Sequence, residues 1–137
     1  MKLESEQGGV IDTPASVDIE RVVHALDGEV NTFAILTKVP LTYIQTRVVD
    51  GQFELEYQNG DTDQHYQADR LVSRDEVVQA FSLYAKDDDA WQGLVEWQPL
   101  DLSSEPVVHE ESLQSSGGCT GVVLLAVVLS VLTWAVV

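Results

Sequence analysis

The chain has 137 residues, with 23 Asp and Glu against 7 Lys and Arg, and a formal charge of −16 at pH 7. That length suits one domain with a modest core. The charge argues against nucleic acid or anionic headgroups as ligands, because both repel an acidic surface, and favours a basic protein partner.

Residues 1–16 are polar and carry Gly8, Gly9 and Pro14. They read as a flexible arm. The opening MKLESEQGG has one Lys, no apolar stretch and no cleavage site, which predicts no signal peptide and a cytoplasmic domain. A helix is expected to follow. Ser16 can cap it, Asp18 and Glu20 suit its positive end, and Ile19, Val22, Val23 and Leu26 repeat at helical spacing. Asp27-Gly28 ends it. Thr32 to Lys38 then reads as a strand stopped by Pro40.

The strongest local signal runs from Tyr43 to Tyr57. Asp50-Gly51 between two alternating runs predicts a type I′ hairpin, because both residues tolerate positive φ. That turn sets the register. One face becomes Ile44, Thr46, Val48, Phe53, Leu55 and Tyr57. The other becomes Gln45, Arg47, Glu54 and Glu56, a polar face expected to meet water or a partner.

Asn59-Gly60-Asp61 marks a second turn, and Gln64 to Ala68 a third antiparallel strand. Ser73 and Glu76 form a capping box for a helix whose stripe is Val77, Val78, Phe81, Tyr84 and Ala85. Asp87, Asp88 and Asp89 follow it. Carboxylates at a helix C-terminus oppose its dipole, so stability does not explain them. Gly93 to Gln98 reads as a last strand before Pro99, with Trp97 in the core in preference to a partner contact. These elements make an α+β head over residues 17–100, an antiparallel sheet of four to five strands packed with two helices.

Residues 101–118 are acidic and rich in Ser and Gly, and read as a linker. Residues 119–137 read as a transmembrane helix. From Gly121 to Val137 there is no charge and eleven residues are Val or Leu. As a helix, Gly117 to Val137 spans about 31 Å, close to the bilayer hydrocarbon thickness. Val122, Leu125, Val128 and Leu132 are its anchoring side chains, and Trp134 suits the far interface. No Lys or Arg follows Lys86, so the near flank has no basic residue. Cys119 is the single cysteine, which allows no internal disulfide and agrees with a reducing compartment.

The sequence has no GxSxG elbow, P-loop, dinucleotide fingerprint or HExxH, and His24, His65 and His109 lack metal-ligand spacing. No catalytic residue, metal or cofactor is assigned.

The stretch Tyr43-Ile44-Gln45, Phe53-Glu54-Leu55-Glu56-Tyr57, Gly60, His65-Tyr66 and Ala68 continues into Asp75-Glu76-Val77-Val78, Ala80-Phe81 and Tyr84. It closes with Asp88-Asp89-Ala90-Trp91 and Glu96-Trp97. Over residues 43–97 this order resembles a family of small bacterial immunity proteins of polymorphic toxin systems, often associated with deaminase-like toxins. The resemblance implies a non-enzymatic protein that binds and neutralises a toxin. On that basis Glu54, Glu56, His65, Asp88, Asp89 and Trp91 are assigned to partner contact. The membrane tail departs from the usual soluble member and keeps a second expectation open: an accessory subunit of a membrane complex, docked through its helix. The expected partners are therefore a basic toxin or membrane-complex subunits, and the lipid bilayer. The expected location is a membrane, with the head in the cytoplasm.

Overall fold

In a computed structural model, residues 1–100 are described. The linker and the predicted anchor, with Cys119, Val122, Leu125, Val128, Leu132 and Trp134, lie outside the described residues.

Seven strands form one antiparallel sheet: β1 (Lys2–Ser5), β2 (Gly9–Asp12), β3 (Phe33–Val39), β4 (Thr42–Val49), β5 (Gln52–Asn59), β6 (His65–Ala68) and β7 (Trp97–Pro99). Their order across the sheet is β2-β1-β3-β4-β5-β6-β7. Two helices, α1 (Ser16–His24) and α2 (Arg74–Ala85), pack on one face. The α+β class agrees with the sequence, but the sheet has two more strands than the upper expectation.

The extra strands come from the segment expected to be an arm. Residues 1–16 are not an arm: β1 and β2 pair as a hairpin, with Leu3 opposite Ile11. β1 also pairs with β3, Leu3 facing Leu36. Leu3 is fully buried, and the burial of that one side chain holds the strand in place. The turn is closed by Ser5, whose Oγ accepts the Gly8 N–H at 2.9 Å.

The central hairpin follows its turn. Asp50 and Gly51 have φ of 51° and 79°, as a type I′ turn requires. The register is the expected one, from Val49 opposite Gln52 to Ile44 opposite Tyr57. Ile44, Phe53 and Leu55 enter the core below the helices, with Val48 and Tyr57 packed beside them.

Helix α1 buries Ile19, Val22 and Val23. Its first turn is held by Asp18, whose Oδ2 accepts the Ala15 N–H at 2.9 Å, so the start falls one residue before the expected cap. Beyond its end, Asp27 Oδ1 accepts the N–H groups of Glu29, Val30 and Asn31, which holds its carboxyl below the usual carboxylate range. Gly28 lies between them at φ +78°, and a Cβ there would meet Val48 Cγ1 at 2.9 Å. Arg74, at the start of α2, donates through Nη1 to the carbonyls of Val23, His24 and Leu26. Val23 and His24 end α1 and Leu26 follows it, where backbone carbonyls run out of helical partners. One guanidinium therefore ties the two helices together.

The capping box of α2 is formed. Ser73 Oγ accepts the Glu76 N–H at 3.2 Å, and Glu76 Oε2 accepts the Ser73 N–H at 2.7 Å. Arg70 adds a bond at 2.8 Å to Glu76 Oε1. Arg70 first and then the Ser73 N–H pull the Glu76 carboxyl down to about 2 from 4.5. The folded pKa is the lower one, so this stabilisation is complete above pH 4.5 and is lost as pH falls from 4.5 toward 2. The carboxylate is a third exposed, and solvent screening limits the effect. Glu76→Ala is expected to cost about 1 kcal/mol at pH 7 and close to nothing at pH 2. Urea midpoints at the two pH values test this, and an equal loss at both would contradict it.

The last strand is shorter than expected. Gly93 ends a 3₁₀ turn (Asp89–Gly93), and only Trp97–Pro99 pairs with β6. Asp88 Oδ1 accepts the Ala90 N–H at 3.0 Å and starts that turn, which takes in Gly93, and Leu94 and Val95 bend before the strand begins. Trp97 packs against the core beside Trp91, and its indole N–H donates to Gln92 O at 2.9 Å.

Candidate functional site

The alternation of β4 and β5 sends Tyr43, Gln45, Arg47, Glu54, Glu56 and Gln58 to the face opposite the helices. The β5–β6 register places His65 opposite Gln58 on that same face. Phe33 and Ile35 of β3 join them, opposite Arg47 and Gln45. The polar face is not the open, solvated surface expected from the sequence: Gln45, Glu56, Gln58 and His65 are all buried. Most of their polar atoms bond to one another, which is how polar groups survive burial.

Glu56 Oε2 lies 2.8 Å from His65 Nε2 and accepts from Gln45 Nε2 at 2.9 Å. His65 Nδ1 lies 3.1 Å from Gln58 Oε1. The amide of Gln58 is oriented by its other end, where Nε2 donates to Leu41 O at 3.3 Å. Both ring nitrogens of His65 therefore face side-chain oxygens. Tyr43 also donates to Gln58 Oε1, at 3.2 Å. Burial first, and then the Glu56 charge, push the Tyr43 hydroxyl up to about 12, so it stays a donor. Gln45 Oε1 is buried without a hydrogen-bond partner. Beside this cluster Arg47 grips Glu54, with Nη2 2.7 Å and Nε 3.1 Å from Glu54 Oε2.

The six residues assigned to partner contact separate into three places. Glu54, Glu56 and His65 share the sheet face, where each is bonded to another residue of that face. Asp88 and Asp89 are exposed at the far end of α2, one sheet face away. Trp91 is in the core, 5% exposed, with its ring centroid 4.7 Å from Tyr57, 5.3 Å from Tyr84 and 5.7 Å from Trp97. Packing explains Trp91 and internal hydrogen bonding explains His65 and Glu56.

No family model, curated protein or solved structure matches the chain.

The charges set the character of the remaining surface. Lys2, Arg21, Lys38, Arg47 and Arg70 each pair with a carboxylate, and Arg74 is held by the α1 carbonyls. Six of the seven basic side chains thus have partners within the head, several of them in exposed pairs. Glu20, Glu29, Asp50, Asp75, Asp89 and Glu96 are exposed with no cation at ion-pair distance among the described residues. Sequence reasoning saw the excess of acid but not that the bases were already taken. It also missed Gln45, Gln58 and Tyr43, which sit in one cluster only because three strands align.

Among the described residues no group of His, Cys, Asp and Glu is arranged to hold a metal ion. Among the same residues no helix is long and apolar enough to cross a membrane.

Proposed function

We propose that this chain is a non-enzymatic binding protein whose acidic head engages a basic protein partner, in the manner of the immunity proteins it resembles. The observation that supports this most is the commitment of the basic side chains. With six of seven bonded to carboxylates or carbonyls of the head, the surplus of exposed carboxylates gives the surface a net negative sign. Such a surface steers a cationic partner and raises its association rate. The partner class is a basic toxin, and binding is the means of neutralising it.

The apolar run from Gly121 to Val137 supports a membrane tether for this head. The same run favours a second reading, an accessory subunit that joins a membrane complex through its tail.

The test is association of the full chain, in mild detergent, with purified basic toxins from the same genome, measured at low and high salt. Tight binding that slows at least tenfold in association between 0.05 and 0.5 M salt supports the reading. Survival of toxin-expressing cells only when the chain is co-expressed supports it further. Failure of both, with co-purification of integral membrane subunits instead, supports the accessory-subunit reading.

A further inference from the structure

Val39 ends β3, and Pro40 and Leu41 connect it to β4 at the tip of a hairpin. All three are exposed, Val39 at 57% and Leu41 at 52%. Adjacent apolar side chains at a hairpin tip gain nothing from water. Leu41 also has φ of +66°, a left-handed conformation that leucine rarely adopts. The surroundings hold it there. Its carbonyl accepts the Gly60 N–H at 2.9 Å and the Gln58 side-chain N–H at 3.3 Å. Gln58 is itself fixed by His65 and Tyr43. The buried cluster thus braces the backbone that presents Leu41.

The rim of this tip is acidic. Asp61 and Asp63 follow Gly60, which bonds the tip directly. Lys38, just before the tip, reaches Asp87 at 2.6 Å and brings the exposed α2 end, with Asp88 and Asp89, to the same end of the sheet. An apolar centre inside a charged rim is the arrangement of a protein contact patch.

We infer that the Val39-Pro40-Leu41 tip is the apolar anchor of a protein-docking surface, and that its occupant is a basic segment bearing apolar side chains. This rests on the reading of the head as a binder of basic partners. The cations of the occupant meet Asp61, Asp63, Asp88 and Asp89, and its apolar side chains cover Val39 and Leu41. A bilayer is the weaker candidate, since the same carboxylates repel anionic headgroups.

Two peptides of equal length and charge distinguish the possibilities: lysine with leucine at helical spacing, and lysine with glycine. Both are titrated into the full chain in neutral detergent, beside Leu41→Gly and Val39→Ser variants. Glycine adopts positive φ without strain, so Leu41→Gly keeps the fold, and an unchanged or raised melting temperature verifies that. The lysine–leucine peptide is expected to bind at least tenfold tighter than the lysine–glycine peptide. Each variant is expected to remove most of that difference while leaving lysine–glycine binding unchanged. Equal affinity of both peptides, or variants that bind as the parent does, overturns the docking surface and leaves the acidic-binder reading standing. Binding of neither peptide defeats both. Retention by phosphatidylcholine vesicles, lost in Leu41→Gly with no peptide preference, assigns the tip to lipid and also overturns the proposal.

Discussion

Trp91→Ala is expected to destabilise the head by about 3–5 kcal/mol, the usual cost of emptying a large aromatic site. Trp91 packs edge-on against Tyr57, Tyr84 and Trp97, at interplanar angles of 81°, 71° and 77°. Such contacts add about 0.5–1.5 kcal/mol each beyond the area buried. The four rings join β5, α2, the 3₁₀ turn and β7, so the loss spreads over one end of the molecule. A domain of this size has about 5–15 kcal/mol in total, and the variant would be partly unfolded at 37 °C. Urea denaturation followed by Trp fluorescence measures the effect. An unchanged midpoint with lost partner binding would return Trp91 to the contact surface.

The second large effect belongs to Glu56. Glu56→Ala leaves His65 Nε2 and Gln45 Nε2 without their acceptor in a buried setting. The expected cost is about 3 kcal/mol, that of breaking a buried pair from one side. Glu56→Gln keeps an acceptor oxygen and is expected to cost about 1 kcal/mol. Replacing both members, Glu56→Leu with His65→Phe, is expected to cost less than Glu56→Ala alone, because no unpaired polar group remains at either position. A double-mutant cycle on thermal midpoints tests the coupling. Strict additivity of the two single changes would show that the cluster does not act as a unit.

The parts of the fold that were legible in the sequence share one property: their signal is local. Asp50-Gly51 fixed a register of eight residue pairs because a two-residue turn leaves no freedom. Ser73 and Glu76 marked α2 because a capping box is complete within four residues. The N-terminal hairpin carried no such signal. Its strands, KLES and GVID, have four residues each, and only Leu3 and Ser5 are buried. Polar residues around a Gly pair look the same in an arm and in an edge hairpin. Only the third partner, β3, decides between them.

The same limit governs the candidate site. Glu54 and Glu56 were correctly set on the face away from the core, since alternation alone determines that. The pairing of the buried Glu56 with His65 depends on the β5–β6 register across a five-residue connection containing a 3₁₀ turn. No turn signal specifies that register. Trp91 is assigned to contact on the resemblance, since packing alone does not account for it in the sequence. The 3₁₀ turn started by Asp88 swings it back into the core, and helical periodicity does not anticipate such a turn.

The position of β1 has a practical consequence. The first strand of the chain lies between β2 and β3, so it shields the long edge of β3. That edge is FAILTKV, with Phe33, Ala34, Ile35 and Leu36 all buried in the intact head. Trimming residues 1–12 as a dispensable tail would uncover the four residues that β1 pairs, Ala34 to Thr37, as unpaired and largely apolar backbone, a template for strand addition from a second chain. The shortened protein is expected to form concentration-dependent oligomers on size exclusion at concentrations where the intact chain does not. In this fold, twelve mostly polar residues act as a guard against self-association.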